Sequence, residues 1–175
     1  MKKTIAVAST VVLAAALSTT NNQVSTDWIL PNSKVTPGSI NPDVTQANIQ
    51  STICTSGFTA TIRPSVSYTN KIKQQEISVG GAYYSESVVF GNDLGNYELD
   101  HLISLELGGN PTDVKNLWMQ PYDGNNAHKK DALETTLKRL VCAGNITLRN
   151  AQKAIAKNWV KAYNEYVGLT SINNN

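Results

Sequence analysis

The chain has 175 residues, two cysteines and a formal charge of +2, enough for one domain with a substantial core. Lys2 and Lys3 carry that excess; without them 13 basic residues face 13 acidic ones, so bulk charge gives no argument for a polyanionic partner. Two cysteines, neither in a Cys-x-x-Cys pair, exclude a disulfide-dense scaffold and a zinc knuckle.

Residues 1–18 have the layout of a secretory signal: Lys2 and Lys3, an apolar run from Ile5 to Leu17, then small and polar residues. The run is too short to span a bilayer, so the expectation is a secreted or periplasmic chain with no stable membrane association. In an oxidising compartment the even cysteine count predicts a Cys54–Cys142 disulfide. Residues 19–50, with Pro31, Pro37 and Pro42, read as an extended arm. Residues 51–170 form the folded domain, and the Asn-rich 171–175 a disordered tail.

Within the domain, 58–62 alternates like a strand and is closed by Arg63-Pro64. Thr69 is placed to cap a helix over 70–77, with Ile72 and Ile77 inward. Residues 78–96 are a long, glycine-interrupted connection. Leu99 to Leu107 is an almost continuous apolar run that predicts a buried strand, ended by Gly108-Gly109. A turn follows at 110–113, then a short strand over 116–119 stopped by Pro121. A helix begins near Asn126, with Leu133, Leu137, Leu140 and Val141 at helical spacing, and Gly144 ends it. Thr147 caps a last helix whose apolar face is Leu148, Ala151, Ile155, Trp159 and Tyr163. Arg149, Lys153, Lys157 and Lys161 recur every fourth residue and form a basic stripe on another face.

Four short elements follow one another in order: Asp100-His101, Gly108-Gly109, Asn116-Leu117 and Asn126-Ala127-His128-Lys129. This order and spacing resembles the HNH, or ββα-metal, nuclease motif. A looser likeness, through Thr36-Pro37-Gly38, Thr52-Ile53-Cys54, Arg63-Pro64, Tyr97-Glu98-Leu99 and Lys130-Asp131, extends to small exported bacterial proteins with an HNH-like core and paired cysteines. Ser104 stands where many HNH sequences have proline. The resemblance implies an α+β fold: a ββα-metal hairpin and helix, an added C-terminal helix and an N-terminal arm.

The resemblance also implies roles. His101 is the general base that activates water, and Asn116 bonds backbone and orients it. Asp100 is a metal ligand, with Asn126 as the second and Asn125 or His128 as rivals. Hard oxygen donors imply Mg²⁺, whereas ligation by His128 brings in Mn²⁺, Zn²⁺ or Ni²⁺. Glu98 stands behind them as a supporting partner. Lys129, Lys130, Arg149, Lys153 and Lys157 are expected to hold the phosphate backbone. The expected function is a monomeric, divalent-metal-dependent endonuclease of low sequence specificity, with DNA favoured over RNA. The alternative is a non-catalytic exported binding protein on the same scaffold.

Overall fold

The computed structural model describes residues 30–122 and 126–168. The signal segment at 1–18, the start of the arm, Asn125 and the 171–175 tail lie outside the described residues. Helices α1 (Phe58–Ile62), α2 (Val66–Ile77) and α3 (Tyr84–Phe90) precede strands β1 (Tyr97–His101) and β2 (Leu117–Pro121), and helices α4 (Asn126–Cys142) and α5 (Leu148–Tyr163) close the chain. The strands pair antiparallel in a two-stranded sheet, with Tyr97 opposite Pro121 and His101 opposite Leu117. The chain is therefore mixed α+β.

Several expected elements differ from the observed ones. Residues 58–62 are the helix α1, not a strand. Alternation over five residues is too short to decide, and Arg63, extended because Pro64 follows it, ends the helix at Ile62. Ser65, not Thr69, caps α2: its hydroxyl accepts from the Tyr68 N–H at 3.3 Å, while the Thr69 hydroxyl donates to the Val66 carbonyl inside the helix. The connection at 78–96 contains α3 and a 3-10 turn, Leu94–Asn96. The strand expected through Leu107 stops at His101, and Leu105–Leu107 is a 3-10 turn. Leu102, Ile103, Leu105 and Leu107 are buried all the same, and a run buried throughout gives no periodicity from which to read its end.

The larger core packs Leu133, Leu137 and Val141 of α4 against Leu148, Ala151, Ile155 and Trp159 of α5, with Ile103, Leu107, Val44 and Ile49 filling between. A smaller cluster, Tyr83, Tyr97, Leu102, Trp118 and Met119, lies at the hairpin. Val44 and Ile49 belong to the arm, so its later part is core rather than appendage. Its backbone is fastened too: the Gly38 N–H donates to the Lys115 carbonyl at 2.9 Å and the Asn41 N–H to the Gly108 carbonyl at 2.8 Å. The Cys54–Cys142 disulfide joins positions 88 residues apart, tying the turn around Ile53 to the end of α4. A loop of that size corresponds to about 4–5 kcal/mol in the chain-entropy view.

Thr147 caps α5 as expected, its hydroxyl accepting from the Asn150 N–H at 3.2 Å. One break in α5 was not legible. Asn158 is non-helical (φ −169°, ψ 95°), and its side-chain oxygen accepts from the Lys161 N–H at 2.8 Å, capping the last turn from within. The basic stripe is thus divided between Lys157 and Lys161. Among the described residues no helix is long and apolar enough to cross a membrane.

Candidate active site at the end of the hairpin

His101 is the last residue of β1 and is 6 % exposed. Its Nε2 lies 3.0 Å from the Pro111 carbonyl oxygen. A carbonyl only accepts, so Nε2 carries the proton in the neutral ring and Nδ1 keeps the lone pair. Burial pushes the imidazole pKa below its ordinary value, with Lys130 and Arg63 adding to the shift and the Pro111 carbonyl and Asp100 opposing it. The ring is neutral at pH 7.

The loop that supplies Pro111 is held by Asn116, which is fully buried. Its side-chain oxygen accepts from the Ile103 N–H at 2.9 Å, and its amide nitrogen donates to the carbonyls of Ile103 and Asn110, each at 3.0 Å. One side chain thereby clamps the backbone just after His101 to the backbone just before Pro111. Gly109 makes room for it: a Cβ there would fall 1.7 Å from the Ile103 oxygen and 2.8 Å from the Asn116 amide nitrogen. The Gly-Gly and Asn elements are two halves of one clamp.

Asp100 has a different environment. Its Oδ2 accepts from the Trp118 indole N–H at 2.9 Å and pairs with the Lys130 ammonium at 2.7 Å. Lys130 also donates to the His101 carbonyl at 2.9 Å and pairs with Glu134 one turn along α4. Burial works against the ammonium, yet the two carboxylates more than offset it and hold its pKa above the ordinary value. Burial pushes Glu134 up to about 7, with the Lys130 ammonium opposing the shift and the Asp100 charge adding to it. The expectation that Lys130 holds a phosphate is corrected: its side chain is 1 % exposed and its donors are spent inside the fold.

The other expected residues fall in separate places. Asn126, at the first position of α4, is 3 % exposed and shares the buried face with Lys130, Leu133 and Leu137. The His128 side chain is 79 % exposed and 3.9 Å from Asp131, so it stands off that face. Lys129 is half-buried beside it. Arg149 and Lys153 line a groove along α5 with Ile103 and Val44, and Lys157 lies one turn further on. None of the three lines the cleft that holds His101.

That cleft, about 230 Å³, lies between the strand end and the α1–α2 junction, and Arg63, Asn70, Lys73, Glu98, His101 and Tyr122 line it. Arg63 and Lys73 were not among the expected site residues. The sequence carried one hint: Arg63 precedes Pro64, which fixes the backbone between two helices. Lys73 donates to the Tyr97 carbonyl at 2.7 Å; burial lowers its pKa against the pull of Glu98 and Asp93. Burial raises Glu98, and Asp100 and Asp131 raise it further. Burial likewise raises Asp131, with Asp100 adding to it. Glu98, Asp100 and Asp131 thus lie close enough to interact, with Lys130, Arg63 and Lys73 as the opposing cations.

By donor chemistry, the oxygens of the Asp100 carboxylate and the Asn126 amide would suit a hard divalent ion. Among the described residues no three His, Cys, Asp or Glu side chains form a cage, so such an ion would keep several waters, as Mg²⁺ does. No protein-family model, curated protein or solved structure matches the chain.

Proposed function

We propose that this chain is an exported, divalent-metal-dependent nuclease that hydrolyses phosphodiester bonds of nucleic acid with low sequence specificity. The observation that carries the reading is the state of His101: a neutral, buried imidazole with Nε2–H committed to the Pro111 carbonyl and a lone pair at Nδ1, in a ring that lines a cleft. A water at Nδ1 gives its proton to the ring as its oxygen bonds to phosphorus and the P–O bond to the leaving sugar oxygen breaks, that oxygen taking a proton from solvent. Arg63, at the cleft wall, offers a planar fork to the phosphate oxygens. Asn116 keeps the imidazole and its carbonyl partner in register through the loop. Asp100 and Asn126 would hold the cation, which when bound supplies neutralisation of the phosphate and leaving-group charge. The strand, Gly-Gly turn, strand and helix order supports the HNH-like assignment. The disulfide supports export, because such bonds persist in oxidising compartments.

One observation favours the alternative, a non-catalytic nucleic-acid-binding protein: the Asp100 carboxylate already has an internal cation in Lys130. A fluorescence nuclease assay on the oxidised protein, with a Mg²⁺, Mn²⁺, Ni²⁺ and Zn²⁺ series and a chelator control, separates the two. Metal-dependent cleavage abolished by chelator is the expected result. Binding to nucleic acid without cleavage under any metal would establish the alternative.

A further inference from the structure

The basic stripe on α5 has no part in the His101 cleft, and its first two members sit in unusual surroundings. Arg149 and Lys153, one turn apart at the start of α5, are both exposed. The first turn of the helix carries no acidic residue, although the positive end of a helix dipole favours acids and disfavours cations. Among the described residues neither side chain has an ion-pair partner. Positive charge is thus gathered here with no ion-pair partner among the described residues.

Beneath these two cations runs a groove of about 720 Å³, within the size range of small-ligand sites. Its floor is Val44, Ile103, Leu148 and Ala156, and Ile40, half exposed, stands at its edge. Three of its polar side chains are already engaged. The Gln46 side-chain oxygen accepts from the Leu148 N–H at 2.7 Å, the Gln152 amide donates to the Leu107 carbonyl at 2.8 Å, and Thr147 is the helix cap. A peptide laid here would find few partners for its backbone, whereas an alkyl chain asks for none.

We infer that this groove binds a single-chain alkyl carboxylate, a free fatty acid, with its chain on the Val44–Ile103–Leu148 floor and its carboxylate between Arg149 and Lys153. The inference is independent of the proposed nuclease activity.

Titration of the oxidised protein with sodium dodecanoate below its micelle concentration, followed by calorimetry and amide NMR, tests it. Saturable one-to-one binding is expected, with shifts centred on Gly38, Ile40, Arg149 and Lys153. Affinity should rise up to about fourfold per methylene from octanoate to dodecanoate. The double variant R149Q/K153Q should bind dodecanoate at least about tenfold more weakly and leave the weak binding of neutral dodecyl maltoside unchanged. I40D, at an exposed position that leaves the core intact, should block the chain and abolish binding with an unaltered thermal midpoint. Absence of saturable binding, equal affinity for dodecyltrimethylammonium, or indifference to R149Q/K153Q would overturn the inference. So would a stripe that binds only anionic vesicles, or duplex DNA that dodecanoate does not displace.

Discussion

Asp100 and His101 are neighbours on β1, yet their side chains enter two different environments. Asp100 faces α4, and its Oδ2 joins a network with Lys130 and Glu134 of that helix and Trp118 of β2. Among the described residues His101 makes a single side-chain hydrogen bond, to Pro111, and it lines a cleft. Alternation along a strand puts adjacent residues on opposite sides. Here one side is an ion-pair network and the other is a cleft lined by an imidazole. Two adjacent titratable residues can therefore meet different surroundings: Asp100 is anchored by an internal cation and an indole N–H, whereas His101 keeps a lone pair at Nδ1.

Removal of Lys130 breaks the comparison on its structural side and carries the largest expected effect. K130A leaves Asp100 and Glu134 without their shared cation and should cost about 3–5 kcal/mol in urea unfolding; a loss under about 1 kcal/mol would mean the network holds little. The C54A/C142A variant should lose about 2–5 kcal/mol with the His101 resonances unmoved, because the staple lies at the far end of α4. N116A strips the clamp and leaves buried backbone groups of Ile103 and Asn110 unpaired, at about 2–3 kcal/mol. Unlike the disulfide variant, it should also shift the His101 ring resonances, which NMR reads directly.

The smallest effect is in pH. The pKa of His101 in the folded chain lies below the ordinary value of about 6.5. Between the two values the folded chain binds fewer protons than the unfolded chain. The contribution of His101 to stability is whole above about pH 6.5 and is lost as pH falls through the folded value. For the same reason the acid limb of a kcat/KM profile should fall below pH 6.5; a limb centred above it would mean a ring that is charged at neutral pH.

Much of the fold was legible because its signals were periodic or chemical. The apolar spacing of α4 and α5, the Thr147 cap and the cysteine pair each have one physical reading. The strand boundary at His101 was hidden by a run that is buried in both strand and turn, and α1 by an alternation of only five residues. Within the candidate site, the backbone-bonding place of Asn116 was legible from the order of the motif elements. The environment of Lys130 was misread as a phosphate contact, although its place on one helical face with Leu133 and Leu137 carried the signal of burial. Arg63 was harder to find, since only the tertiary approach of the α1–α2 junction to the hairpin brings it beside His101.

The most direct test of the account is DNA cleavage by H101A, compared with wild type at saturating metal in a preparation free of contaminating nuclease. Its thermal midpoint should stay close to wild type, because the ion-pair network behind Asp100 is untouched. Cleavage should fall by about 10²–10⁴ while nucleic-acid binding persists. Full activity in a folded H101A protein would contradict the assignment of His101 as the base, and with it the division of labour across the end of β1.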